Sequence, residues 1–488
     1  MVLSTASYAF KAFLYGVVGA TIMLLVIAVN FLNDKPELQV WHTVDLDQEF
    51  VADSDVATFA EYLALEDRLF QQLDESIECV NVEDSSTSIN RYTKRSLSDP
   101  SAWETNWNRT FELKRESPRC GVLLLHGLTD APYSLRAIGE RLSAEGAYVI
   151  GLRIPGHGTA PAALTQTSWQ DMAAAVRIAM RHLRGKVGDQ PLYMVGYSNG
   201  AALSVRYALE SIEDPSLPKL DAMALLSPQI GITAMARFAV WQARVGDWLG
   251  LDKLQWQTVL PEYDPYKYAS FPVNAGMQAY HLTLANRVHL SKLAAHGRLN
   301  SFPPVLACQS VVDSTVSTAA LVRDLLIHLP ERGHHLLLYD INRCVQIESL
   351  LISRKVPDIV QMQSHAHRLY TLTWVTNQSP TRAMVEARVY PPKVNEPEIV
   401  SLKLKWPRNV YSLSHIALPF REDDGLYGAR FGDDPTRIHL GAVAIRGEKG
   451  VLAISAADML RQRWNPFYDY QAARIVDHFK LNSRVVVD

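Results

Sequence analysis

The sequence predicts an α/β protein: a mostly parallel sheet flanked by helices, with a helical cap, a second β-rich insertion and a preceding N-terminal transmembrane helix. Three observations lead there. From Gly121 onward short apolar runs alternate with stretches of helical period, the pattern of strands joined by crossover helices. One junction, Gly196-Tyr197-Ser198-Asn199-Gly200, takes an apolar strand directly into a helix-forming run. And Ala12 to Leu32 is a run of 21 residues without a charge, the length a helix needs to cross a bilayer core.

In chain order, residues 1–35 read as a membrane anchor. A cleaved signal peptide fits less well, because its apolar region is shorter and Ala28-Val29-Asn30 is a poor cleavage site. Lys11 precedes the span, whereas Asp34, Glu37, Asp45, Asp47 and Glu49 follow it with Lys35 as their basic neighbour, so the N-terminus is expected in the cytoplasm and the body on the non-cytoplasmic side. Residues 36–107 form an accessory segment: an amphipathic helix in Asp55 to Ile77, with Val56, Phe59, Tyr62, Leu63, Leu69, Phe70 and Leu73 on one face, then a polar loop or linker from Glu83 to Ser101. The first part of the core, 108–227, holds strands at Thr110–Lys114, Gly121–Leu125, Tyr148–Leu152, Leu192–Val195 and Ala222–Ser227. Its helices lie at Ala131–Glu145, Asp171–Leu183 and Ala201–Glu210, with Thr167 and Gln170 as a capping box for the second. The interval 228–303 reads as a cap rich in large apolar residues, including Trp241, Trp248, Leu249, Leu251, Leu254 and Trp256; a lid for an acyl chain and a small helical subdomain fit equally. The core resumes at 304–341 with strands Val305–Gln309 and Leu336–Tyr339. An insertion at 342–408 follows, with strand-like runs Leu369–Trp374 and Val400–Leu404, and 409–488 completes the core.

Composition narrows the partners. With 48% hydrophobic residues in 488, the chain can bury a large core and carry decorations. A net charge of −3, from 48 basic and 51 acidic residues, gives no electrostatic footprint for a nucleic acid. The four cysteines (Cys79, Cys120, Cys308, Cys344) form no CxxC pair or zinc-spaced cluster, so buried free thiols are expected, with no metal and no cofactor.

The Gly196–Gly200 turn has the form of a nucleophile elbow, which lifts a serine hydroxyl, here Ser198, clear of the sheet; Gly196 and Gly200 permit the tight backbone. A serine needs a histidine to take its proton and a carboxylate to orient that histidine. The acid belongs just past a later strand, where Asp313 stands and Asp340 is the rival. Among downstream histidines, His334 and His335 precede their strand, His439 lies in a run resembling a strand interior, and His365 and His367 lie in a polar approach to the insertion. His415, where the chain turns away after a strand-like segment, is the candidate base. Two N–H groups are needed to hold an oxyanion: that of Asn199, after the nucleophile, and that of Leu128, in the turn His126-Gly127-Leu128 after an early strand.

Together, Leu125-His126-Gly127-Leu128, Arg153-Ile154-Pro155-Gly156-His157-Gly158, the elbow and Val312-Asp313 resemble the monoacylglycerol lipase and serine aminopeptidase-like branch of the α/β-hydrolase superfamily, closely over Gly121 to about Glu210 and again over Val305 to Leu326. The resemblance implies an α/β-hydrolase fold and excludes His157 as the base, its family counterpart shaping a loop. The anchor, the stretch up to Arg119 and the second insertion depart from the family pattern. The expected activity is cleavage of carboxylic esters, with lipid-like acyl groups, by Ser198, Asp313 and His415. The alternatives are a serine peptidase or amidase on the same fold, and a catalytically silent, membrane-tethered scaffold.

Overall fold

The structure, a computed structural model, describes residues 11, 13–23, 35–77, 88–231, 252–346, 368–430, 434, 436–441 and 453–482. Twelve strands lie in this part of the chain: β1 Phe111–Leu113, β2 Cys120–Leu125, β3 Ala147–Leu152, β4 Leu192–Tyr197, β5 Ala222–Leu226, β6 Trp256–Thr258, β7 Phe271–Pro272, β8 Val305–Ser310, β9 His335–Tyr339, β10 Thr371–Ser379, β11 Arg382–Tyr390 and β12 Glu398–Lys405. The principal helices are α1 Phe59–Ile77, α2 Arg136–Ala144, α3 Trp169–Val187, α4 Asn199–Glu213, α5 Val273–Ala295, α6 Thr318–Asp324 and α7 Tyr468–His478.

Ten strands share one sheet in the order β1-β3-β2-β4-β5-β8-β9-β10-β11-β12, with every neighbour from β3 to β10 parallel. The continuous apolar runs of β2, β3, β4, β5 and β8 are buried along their whole length, as strands covered on both faces must be. Alternate side chains then divide between two cores. Leu123, Leu125 and Met194 pack with α3, α4 and α5 on one face, while Val122, Leu124 and Val195 pack with α2 and α7 on the other. The strand order reverses direction between β2 and β4, which opens a crevice at their carboxyl ends.

Several expectations are corrected. The capping box of α3 is formed one position later than Thr167 and Gln170: Asp171 N donates to Ser168 Oγ at 3.2 Å, and Ser168 N donates to Asp171 Oδ2 at 2.8 Å. Thr167 turns its hydroxyl back to Ala163 O instead. Of the 228–303 interval, α5 belongs to the core. Parallel β5 and β8 require a crossover, and α5 supplies it, burying Ala275, Leu282, Leu290 and Leu293. Residues 232–251, including Trp241, Trp248, Leu249 and Leu251, lie outside the described residues, while Trp256 is buried in β6. The 342–408 insertion extends the main sheet through β10, β11 and β12 instead of forming a unit of its own. Its strand-like runs are β10 and β12, and the β11 hairpin partner between them went unread.

The polar stretch after α1 is no loose linker. Arg91, Ser96 and Ser98 are buried, Arg91 N donates to Glu262 O at 2.8 Å, and Tyr92 OH donates to Thr159 O at 2.9 Å. Residues 13–23 are helical; the rest of the expected span, Ala12 and 24–32, lies outside the described residues. Among the described residues no helix is long and apolar enough to cross a membrane. Cys120, Cys308 and Cys344 are free thiols, and Cys79 lies outside the described residues.

The segment 36–77 is fixed to the core by a buried ion cluster. Arg153, just past β3, has no exposed surface; Glu49 takes its two terminal nitrogens at 3.0 Å each and Glu66 of α1 its Nε at 3.0 Å. Glu66 also accepts from Thr110 N at 2.9 Å and Thr110 Oγ1 at 2.8 Å, so its lone pairs are well used. Removing one member of such a cluster strands the opposite charge in the interior. Arg153→Met is therefore expected to destabilise the fold by about 3–5 kcal/mol, read as a lowered urea midpoint; an unchanged midpoint would show that the cluster is dispensable.

Candidate active site

Ser198 is placed by the turn between β4 and α4. Its backbone sits at φ +53° and ψ −112°, outside the regions comfortable for a residue with a side chain. Such strain costs about 1–3 kcal/mol and persists only where the surroundings impose it. Here they do. Ser198 N donates to Leu226 O at 2.9 Å, and Ala201 N and Gln229 N both donate to Ser198 O. A Cβ on Gly200 would lie 2.0 Å from Leu125 O, and one on Gly196 would lie 2.6 Å from Ala201 Cα. No larger residue fits either place while β2, β4 and α4 keep their approach.

Asp313 stands three residues beyond β8, at the same end of the sheet. Its Oδ1 accepts from Thr315 N at 2.8 Å and Val316 N at 3.0 Å, and its Oδ2 accepts from His415 Nδ1–H at 2.9 Å. Burial pushes the carboxyl up, but the His415 charge and hydrogen bond, with the two N–H donors, outweigh it and hold Asp313 below its usual range. An ionised carboxylate only accepts, so the shared proton belongs to His415 Nδ1 and the lone pair to Nε2. His415 opens a short 3-10 turn, His415–Ala417, and is 5% exposed. Its ring lies 5.4 Å from that of Tyr197, the residue preceding Ser198. The structure thus brings Asp313 and His415 together beside the elbow, across 102 residues of chain.

The other candidates are engaged elsewhere. Asp340 is buried and accepts from Arg343 at 2.9 and 3.1 Å, Thr376 Oγ1 at 2.7 Å and Ile341 N at 2.8 Å. His334 and His335 lie at the amino end of β9, where His334 Nδ1 accepts from Val305 N and His335 Nε2 meets Thr373 Oγ1. His439 is not in a strand: Ile438 N donates to Leu97 O and Leu440 N to Leu426 O, so the apolar run is bonded to two different loops. His365 and His367 lie outside the described residues.

Leu128 lies in the turn after β2, and Asn199 opens α4. Among the described residues neither backbone N–H donates to a protein acceptor, the condition an oxyanion-binding pair must meet. His126 shapes the turn. Its Nε2 accepts from Ile154 N at 3.1 Å, which leaves the proton on Nδ1 for Gly127 O at 2.9 Å. A Cβ on Gly127 would press on Asp130 and the Tyr197 ring at 2.9 and 3.0 Å. From the far side, Tyr268 N donates to Thr129 O at 2.8 Å and Lys267 pairs with Asp130 at 3.1 Å. His157 packs edge-on to His126, with Nδ1 on Pro155 O at 2.9 Å. Burial lowers both imidazoles, His157 to about 4 and His126 well below its ordinary value. Among the described residues no group of His, Cys, Asp and Glu could hold a metal ion.

Sequence reading missed the Arg153 cluster and Tyr197. The first had a visible signal, an arginine next to the Ile154-Pro155-Gly156-His157-Gly158 turn, but its partners lie 87 and 104 residues away.

Residues 116–279 match the family model described as serine aminopeptidase, S33. A 93-residue stretch is 32% identical to the thermostable monoacylglycerol lipase of Bacillus sp. (strain H-257), covering 19% of this chain and 36% of that protein. The chain therefore spans about a third of the length of that curated relative. Among solved structures, one described under the metagenome-derived lipolytic enzymes LipS and LipT is 21% identical, with 53% of this chain and 98% of that one covered at a TM-score of 0.36. The Paleococcus ferrophilus monoacylglycerol lipase is 18% identical, with 48% and 89% covered at a TM-score of 0.36.

Because the unfolded chain protonates His157 near 6.5 and the folded one only near 4, the unfolded state binds more protons between those values. Stability is expected to fall as pH drops through that window. The Tm measured from pH 7 downward checks this, and His157→Asn should flatten part of the slope; a Tm independent of pH would contradict buried neutral imidazoles.

Proposed function

We propose that this chain, an α/β-hydrolase of the monoacylglycerol lipase-like branch, is a membrane-anchored serine hydrolase that cleaves carboxylic esters with a lipid-like acyl group. The observation that carries the reading is the Asp313–His415 hydrogen bond of 2.9 Å beside the strained Ser198 turn. Ser198 Oγ attacks the ester carbonyl while His415 Nε2 takes its proton, and Asp313 steadies the imidazolium. The N–H groups of Leu128 and Asn199 receive the negative charge on the carbonyl oxygen. His415 then returns the proton to the departing alcohol, leaving an acyl-enzyme. Water, deprotonated by His415, attacks that ester; the acid leaves and Ser198 regains its proton. The apolar run from Ala12 to Leu32 is the anchor, with the body on the non-cytoplasmic side.

The family description, serine aminopeptidase, favours one second reading, amide cleavage by the same groups. Rates on matched acyl esters and aminoacyl amides separate the two, esters being expected to react faster.

Ser198→Ala and His415→Ala should each lower kcat/KM for an acyl ester by several orders of magnitude, and Asp313→Asn by about 10³–10⁴-fold. Steady-state kinetics on folded protein checks this. A near-normal rate in any of the three removes that residue from the mechanism, and an inactive parent protein favours the scaffold reading.

A further inference from the structure

Beyond the described reaction, the first residues after the apolar run make a specific set of contacts. Lys35 lies three residues past Leu32, so it can stand at most about 11 Å from the end of the span even if the chain is fully extended. Lys35 Nζ donates to Lys253 O at 2.9 Å and Trp256 O at 2.5 Å. In return, Lys253 Nζ donates to Lys35 O at 3.3 Å and pairs with Glu37 at 2.7 Å. The two lysines form a reciprocal clasp between the anchor's exit and the β6–β7 ribbon.

The clasp continues into the body. His42 Nε2 meets Ser270 Oγ at 3.0 Å and its ring lies edge-on to Trp256, while Trp41 stacks on Tyr92. The same ribbon segment reaches the oxyanion turn through Tyr268 N to Thr129 O and through Lys267 to Asp130. Every step of this path lies on loops that follow β2, β3 or β5, at the carboxyl end of the parallel sheet where Ser198, Leu128 and Asp313 stand. In the helical residues 13–23, Phe13, Tyr15, Ile22 and Met23 are 69%, 72%, 56% and 66% exposed, an apolar surface that the body leaves uncovered. A bilayer is the occupant that suits it, since the surface is helical, apolar on several sides and part of a run of 21 uncharged residues.

We propose that the bilayer lies against the carboxyl end of the sheet, so that the anchored enzyme takes its ester from the membrane that holds it. This rests on the anchor reading above. The substrate class it selects is a membrane-resident, single-chain acyl ester whose carbonyl reaches Ser198 from the lipid side. The clasp sets the orientation: a 21-residue span joined by a free tether would let the body tumble, whereas three residues and a bonded ribbon fix which end meets the surface.

The test uses the full chain in phosphatidylcholine vesicles containing a lipid with a nitroxide headgroup. Thr258→Cys on the ribbon and Gln190→Cys just before β4, both at exposed positions, are labelled with a fluorophore in a Cys79→Ser, Cys344→Ser background. The expected result is strong quenching at 258 and weak quenching at 190. Equal or reversed quenching in protein that floats with the vesicles overturns the orientation and leaves the anchor standing. Protein that fails to float overturns both, and neither readout depends on the identity of the nucleophile. As a second arm, Lys253→Ala should lower hydrolysis of a monoacylglycerol in vesicles several-fold while sparing a water-soluble butyrate ester; an equal effect on both, whether a loss or none, contradicts the proposal.

Discussion

Arg153 ties three parts of the molecule to one point. Its guanidinium is buried between Glu49 and Glu66, which come from the segment before the core, and it also donates to His157 O in its own loop at 3.1 Å. An isolated charge there would cost several kcal/mol, so the arrangement survives only with both carboxylates in place. The next residue carries the constraint inward, because Ile154 N donates to His126 Nε2 and His126 fixes Gly127 O. An oxyanion donor works when it is already aimed before the charge develops. The turn holding Leu128 is bracketed by His126 on one side and Tyr268 on the other, and Arg153 braces the first of these.

The elbow follows a complementary logic. Ser198 is held in an unfavourable backbone conformation by hydrogen bonds from Ser198 N, Ala201 N and Gln229 N and by contacts that leave no room for a Cβ on Gly196 or Gly200. Asp313, by contrast, is held by local N–H groups of its own loop, and His415 arrives on a distant turn to meet it. One partner is built by strain, another by a loop, and the third by long-range return of the chain. The insertion that separates the acid from the histidine can therefore lengthen the sheet through β10, β11 and β12 without disturbing their meeting.

What could be read in the sequence follows from the range of the forces involved. The buried strands and the elbow were legible because a fully buried strand is a short apolar run and a tight turn needs small residues at fixed places. The place of Asp313 was legible as a carboxylate past a strand's end. The α3 cap was misplaced by one residue because Thr167 and Ser168 carry the same hydroxyl chemistry and only the backbone decides between them. The core role of α5 was hidden because an apolar-rich interval satisfies a lid and a crossover helix alike. The Arg153 cluster and the attachment of β10 to β9 were not legible at all, since both depend on which distant segments meet.

The central claim is that Ser198 is the nucleophile of a working triad. Its most direct test is exposure of the full-length protein to a fluorophosphonate, followed by mass spectrometry of the peptides. The account predicts a single covalent adduct on Ser198, formed at a rate that depends on His415. An adduct on a different residue, or none on protein shown to be folded, would contradict it.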